Sequence, residues 1–156
     1  MNQFLLFEVG GQSYAIPLSD IREIVTYDGF TKMPDSRPWI VGLIETRGQP
    51  MPIIDLRIRF ETDKKPVYSQ TTVIIATKLS DEKLLGLVVD SVKDIKLFRD
   101  KQILSADKID TDLNSLLVKG YIKDEEENQN ILIIDQSAFG VLNAEHSLLE
   151  LESSDE

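Results

Sequence analysis

The chain contains no cysteine, and that absence removes structural disulfides, thiolate metal sites and cysteine nucleophiles together. It holds one histidine, His146, set in an acidic stretch near the end of the sequence. A catalytic imidazole needs an orienting partner and a pocket. A lone histidine in such a stretch reads as a solvent-facing residue, so Cys-His and Ser-His-Asp catalysis drop out with it. No HExxH or other metal-ligand spacing occurs, and neither a GxGxxG fingerprint nor a phosphate-loop lysine motif is present. The pair Gly10-Gly11 is a lone turn between two apolar runs. The longest apolar runs are about five residues, far short of the roughly twenty needed for a membrane-spanning helix. The opening "MNQFLLFEVGG" has no basic n-region or cleavage site, so no signal peptide is expected. A cytoplasmic location is the expectation that follows.

Basic charge is also scarce. Lysine and arginine number 17 against 27 aspartates and glutamates, a formal net charge of −10. Duplex binding needs a basic stripe that displaces counterions, and anionic membrane surfaces attract polybasic segments. Neither partner is expected. The acid is concentrated in "DEEEN" (Asp124 to Asn128) and in the closing "ELESSDE", which reads as a solvating tail. Between Arg22 and Lys65 the balance leans basic.

What the chain does have is short β-favouring runs separated by turn residues. Phe4 to Val9, Gly10-Gly11 and Ser13 to Pro17 read as strand, tight turn, strand. "LSDIREIV" fits a short helical turn and weak strand alternation alike. Trp39 to Thr46 and Met51 to Asp55 form a second strand pair about "RGQ". Pro50 and Pro52 confine the return to a strand start or an edge. "LRIRF" reads as a short helix or turn, with Leu56, Ile58 and Phe60 anchoring it and Arg57 and Arg59 facing water. Thr71 to Thr77, Leu84 to Val92, Val118 to Lys123 and Asn130 to Asp135 are further strands. Ile95 and Leu97 alternate with lysines, Phe98 to Ser115 reads as loop, and a short helix capped by Asp135 is expected to follow, with Phe139, Leu142 and Leu148 as its apolar contacts. The pattern predicts an all-β barrel or sandwich.

Two blocks recur in the same order. "YAIPLSDIREI" (Tyr14 to Ile24) sets against "LGLVVDSVKDI" (Leu85 to Ile95), and "GLIETRGQPMPIIDL" against "GYIKDEEENQNILIIDQ". The offset is 71 residues between Ile24 and Ile95 and 80 between Ile54 and Ile134, so the second copy carries a longer loop. This predicts two small β subdomains of one architecture. Each alone has a thin core, so the two are expected to pack together and exchange strands.

Three aspartates, Asp55, Asp90 and Asp135, each follow two branched apolar residues. They are the remaining enzymatic option, as a carboxylate pair. The simpler reading is that each ends a strand and caps the turn that follows. Trp39 suits either core or an interface anchor. Arg47, beside Gly48 at a hairpin tip, is either a solvated cation or an interface residue oriented by Glu23 or Glu45.

Four blocks together resemble the CheW family of chemotaxis coupling proteins. They are "FLLFEVGGQSYAIPLSDIREIV", the signature-like "WIVGLIETRGQPMPIIDLRIRF", "LGLVVDSVKDI" and "GYIKDEEENQNILIIDQ", running from about Phe4 to Leu142. The resemblance implies two intertwined five-stranded SH3-like barrels with a short C-terminal helix. That makes 1–145 a single CheW-like domain of two β subdomains, followed by an acidic tail, 146–156. It implies no catalysis, no cofactor and no metal. It implies a cytoplasmic adaptor, monomeric when free, bridging the signalling tip of methyl-accepting chemoreceptors to the regulatory domain of the histidine kinase CheA. By position, Arg47 and Glu23 match residues implicated in coupling, and Ile21 and Gly42 match positions at or near partner contacts. Val73 lies on a strand the family places near the receptor groove. Glu45 stands where the family commonly has asparagine, which bears on partner selectivity. Service in a type IV pilus system, or as one domain of a larger coupling protein, is the alternative.

Overall fold

The computed structural model describes residues 2–34, 37–105 and 117–139. Among the described residues eleven strands occur in chain order: β1 (Asn2–Val9), β2 (Gln12–Pro17), β3 (Ile21–Thr26), β4 (Ile40–Thr46), β5 (Gln49–Asp55), β6 (Val73–Lys78), β7 (Leu84–Val89), β8 (Ser91–Phe98), β9 (Ile103–Ser105), β10 (Val118–Asp124) and β11 (Gln129–Ile134). One short helix, α1 (Leu56–Arg59), follows β5. A six-stranded sheet runs β8-β1-β2-β11-β10-β9 and a five-stranded sheet runs β3-β6-β7-β5-β4. The chain therefore starts in the first sheet, builds all of the second, and returns to finish the first.

Apart from β9, the two strand orders superimpose. In the parallel ladders Ile53 lies opposite Gly86 and Ile133 lies opposite Ala15. These pairs are related by the offsets read from the sequence, 80 for one partner and 71 for the other. Even the irregularities repeat. The ladder skips Arg22 in β3 and Lys93 in β8, and skips Val41 in β4 and Lys119 in β10. A bulge at the same place in both halves is a property of the fold, since it bends the strand toward closure.

Alternation along the strands divides the apolar residues into three cores. Phe4, Leu6, Ala15, Phe98, Ile122, Ile131 and Ile133 fill the first barrel. Met51, Ile53, Ile74, Ala76, Leu84 and Val88 fill the second. The other faces meet between the barrels, where Leu5, Phe7, Ile16 and Ile134 pack with Ile54, Ile75, Leu85 and Leu87. Successive side chains point to opposite faces, so each inner strand feeds one barrel interior and the shared core at once. This is why neither half is a self-sufficient unit.

Several expectations change. The ambiguous "LSDIREIV" is a 3-10 turn, Leu18–Asp20, leading into β3. Leu84 to Val92 is two strands in different sheets, broken at Asp90. Part of the expected loop after Phe98 is a 3-10 turn and β9, which pairs with β10. Arg57 does not face water: its side chain is 12% exposed and lies against the buried Asp55. Asp135 caps a 3-10 turn, Gln136–Ala138. The rest of the expected C-terminal helix, with Leu142 and Leu148, the acidic tail and His146 lie outside the described residues.

Candidate functional site

The β4–β5 hairpin turns in two residues, because Thr46 pairs with Gln49 across it. Arg47 and Gly48 both take positive φ, 52° and 76°, the pattern of a type I′ turn, whose twist matches that of the strands. Glycine adopts it freely, whereas an arginine there costs about 1–2 kcal/mol. Pro50 and Pro52 fall opposite Glu45 and Leu43. In a two-residue hairpin those pairs exchange no hydrogen bonds, so the missing N–H groups face away from β4. On that outer side the ladder with β7 begins only at Ile53, and both prolines are accommodated.

β3 and β4 are the outermost strands of the five-stranded sheet, yet their side chains meet. Thr46 Oγ1 donates to Glu23 Oε1 at 3.5 Å, and Arg22 Nη1 donates to Gln49 Oε1 at 3.2 Å. The sheet has curled until its edges touch, and Arg47 sits on that seam. Its Nη2 lies 3.6 Å from Glu23 Oε2, with the arginine side chain 69% exposed and the glutamate 28%. Glu23, not Glu45, is therefore the acid beside Arg47. Glu45 is exposed, opposite Pro50. An ion pair this exposed contributes about 0.2–1 kcal/mol at most. It biases where the guanidinium points and does little to hold the fold.

The other sequence-derived residues spread outward from this corner. Ile21 begins β3 at the same end, opposite Thr77, and is partly buried against the shared core. Val73 is partly buried too, but opposite Thr26 at the far end of the same ladder. Gly42 is covered by the chain itself: a Cβ there would stand 2.5 Å from Phe30 Cβ and 2.9 Å from the Thr31 carbonyl oxygen. Thr31 and Leu43 exchange two backbone hydrogen bonds, at 2.8 and 2.9 Å, across that gap. Gly42→Ala is expected to lose about 1–3 kcal/mol by overpacking. A thermal melt checks this, and an unchanged midpoint would show that the Phe30 segment yields freely.

The network also contains residues that sequence reasoning passed over. Gln49 Nε2 donates to the Glu82 carbonyl at 3.1 Å, tying in the β6–β7 loop. Arg22 and Gln49 carry no motif. The only cue to Arg22 was its place as the cation of the repeated Ile-cation-acid-Ile block.

The three strand-end aspartates are all engaged. Asp55 accepts from the Arg57 backbone at 2.9 Å, from Arg57 Nε and Nη2 at 3.0 and 2.9 Å, and from the Tyr68 hydroxyl at 2.5 Å. Asp90 accepts from Gly10 N at 2.7 Å, and Asp135 from Ser137 N at 3.2 Å. Each serves a turn, a cap or a tie. Burial, then the Asp55 hydrogen bond, pushes the Tyr68 phenol up. Burial alone would lower Arg57, but Asp55 overrides it and holds the guanidinium above its ordinary value. Among the described residues no group of three His, Cys, Asp or Glu side chains is placed to hold a metal ion. No described helix is long and apolar enough to cross a membrane.

Comparison with known proteins agrees with this geometry. The CheW-like domain model matches residues 3–140. The chain is 30% identical over 151 residues to the probable chemotaxis protein CheW of Rhizobium etli, covering 97% of this chain and 90% of that protein. It is 29% identical over 86 residues to protein PilI of Pseudomonas aeruginosa, covering 55% of this chain and 47% of that one. The crystal structure of the scaffolding protein TtCheW from Thermoanaerobacter tengcongensis superimposes with a TM-score of 0.74 at 27% identity, covering 86% of this chain and 88% of that chain. The chain belongs to the CheW-like domain family, the scaffold proteins of chemotaxis.

Proposed function

We propose that this chain is a non-catalytic cytoplasmic adaptor that couples methyl-accepting chemoreceptors to the histidine kinase CheA. The observation that carries the reading is the seam of the second barrel, where a tight two-residue turn presents Arg47 to solvent with Glu23 beside it. Loops mounted on rigid sheets commonly carry function, and arginine is enriched where interfaces concentrate their energy. No reaction chemistry is needed for such a role, and Asp55, Asp90 and Asp135 are all committed elsewhere.

The test is calorimetric titration against the CheA regulatory domain and, separately, a receptor signalling-tip fragment. The wild-type chain is expected to saturate with both. Arg47→Ala is expected to weaken the receptor arm about tenfold or more, as loss of an interface arginine does. Its folding stability should stay within about 0.5 kcal/mol, as for an exposed substitution. Wild type failing to bind either partner would end the adaptor reading. The likeness to PilI supports a second reading, service in a non-flagellar chemosensory system. Deleting the gene separates the two: loss of swimming bias favours the first, loss of surface motility the second.

A further inference from the structure

We propose that Gln49, together with Arg22, is a positioning residue that sets the orientation of Arg47 for its partner; this rests on the adaptor reading above. Arg47 does little to hold itself. Its ion pair is long at 3.6 Å and largely exposed, and its backbone is in a region that non-glycine residues resist. Whatever fixes the turn must act through neighbouring groups. Gln49 is the residue that follows the turn, and its amide bonds at both ends. The oxygen accepts from Arg22 Nη1 at 3.2 Å and the nitrogen donates to the Glu82 carbonyl at 3.1 Å. One side chain thereby joins β3, the β4–β5 hairpin and the β6–β7 loop. Arg22 occupies the bulge of β3, and its Nε lies 3.9 Å from Glu23 Oε1. The glutamate beside Arg47 is thus tied to the same bracket.

The repeat supplies an internal control. The counterpart of Gln49 is Gln129, in β11, and that of Arg22 is Lys93, at the matching bulge of β8. Among the described residues the second bracket is not built. Lys93 pairs with Glu8 at 3.2 Å instead. The edges of the first barrel are joined by Lys96 and Asp124 at 3.3 Å and by Gln102 Nε2 donating to the Lys123 carbonyl at 3.1 Å. The first barrel thus closes with a different glutamine, Gln102, whose oxygen accepts from Arg99 N at 2.9 Å, so closure in this fold does not require a glutamine at the repeat position of Gln49. At the repeat position shared by Gln49 and Gln129, the bracket occurs at the corner that displays Arg47 and not at its counterpart, and the experiment uses that difference.

The experiment compares Gln49→Ala, Arg22→Ala and Gln129→Ala in the full chain, with two readouts. In the free protein, amide hydrogen exchange at Thr46 and Gln49, the pair that closes the turn, is expected to quicken about threefold to tenfold in the first two variants, the scale of one lost hydrogen bond, and not in Gln129→Ala. Against the receptor-tip fragment, Gln49→Ala is expected to weaken binding by a similar factor, and to add nothing once Arg47 is alanine. Exchange at the turn unchanged in Gln49→Ala would overturn the proposal whatever the partners do. Quickened exchange with effects of Gln49→Ala and Arg47→Ala that multiply would also overturn it, leaving Gln49 an independent contact. If no fragment binds wild type, the adaptor reading fails, and the exchange result still decides whether the bracket orders the turn.

Discussion

Asp55→Asn is expected to cost about 3–5 kcal/mol of folding stability, the scale for breaking a buried charge pair by removing one member. Asp55 is fully buried, and the Arg57 side chain that brackets it is 12% exposed. The substitution keeps the shape and leaves a buried guanidinium without its counter-charge. It also turns the strong acceptor of the Tyr68 hydroxyl into a weaker one. Tyr68 lies in the segment between α1 and β6, and the Arg57 guanidinium sits 5.3 Å from its ring centre. The carboxylate therefore adds a polar tie to a connection that Tyr68 also holds through ring contacts with Tyr27 and Phe30. Urea unfolding gives the value, with Asp135→Asn as the matched comparison. Asp135 holds the same place in the repeat but only caps a turn and meets Ser137, so about 1 kcal/mol is expected there. Equal losses at both sites would show that the Arg57 pairing adds nothing. The network also sets an alkaline limb. The Tyr68 proton is held more tightly in the folded chain than in the unfolded one. Stability from this group is intact below the unfolded phenol value of about 10 and declines as pH rises beyond it toward the folded value.

Phe7→Ala is the second large effect, again about 3–5 kcal/mol. Phe7 is fully buried in the core shared by the two barrels, with its ring 5.8 Å from that of Tyr14. The residue belongs to β1 in the first barrel, yet its loss is expected to weaken both barrels together. Circular dichroism follows strands of both sheets, while fluorescence of the single tryptophan, Trp39, follows the start of the β4–β5 hairpin. The two urea transitions should coincide in wild type and shift together in the variant. Transitions that separate would mean that the barrels unfold independently and that the shared core couples them weakly.

The sequence carried much of this architecture because the architecture is periodic. Alternation in "FLLFEV" and the Gly10-Gly11 pair announce the first hairpin, and the repeat offsets hold to the residue in both parallel ladders. The Asp that ends each Ile-Ile run was legible as a cap for the same local reason. β9 escaped because three residues are too few to show a period, and only its pairing with β10 makes it a strand. The burial of Arg57 escaped because it depends on Asp55 and Tyr68 converging from separate segments. At the site, Arg47 was visible as an arginine beside a turn glycine. Its setting was not: Glu23, Gln49 and Glu82 come from three elements that only barrel closure brings together.

The order in which the strands join the two sheets also has a temporal meaning. The second barrel is one unbroken stretch, from Ile21 to Val89, whereas the first needs β11 beside β2, with Leu132 opposite Tyr14. A chain emerging from the ribosome can close its second barrel while the first is still missing four of its strands. Until synthesis reaches Ile134, the apolar face of the β1–β2 hairpin has only the half-built shared core to shelter against. Long-range pairing of this kind is slow to form, so the interval before β11 arrives is when the nascent protein is most exposed to misassembly.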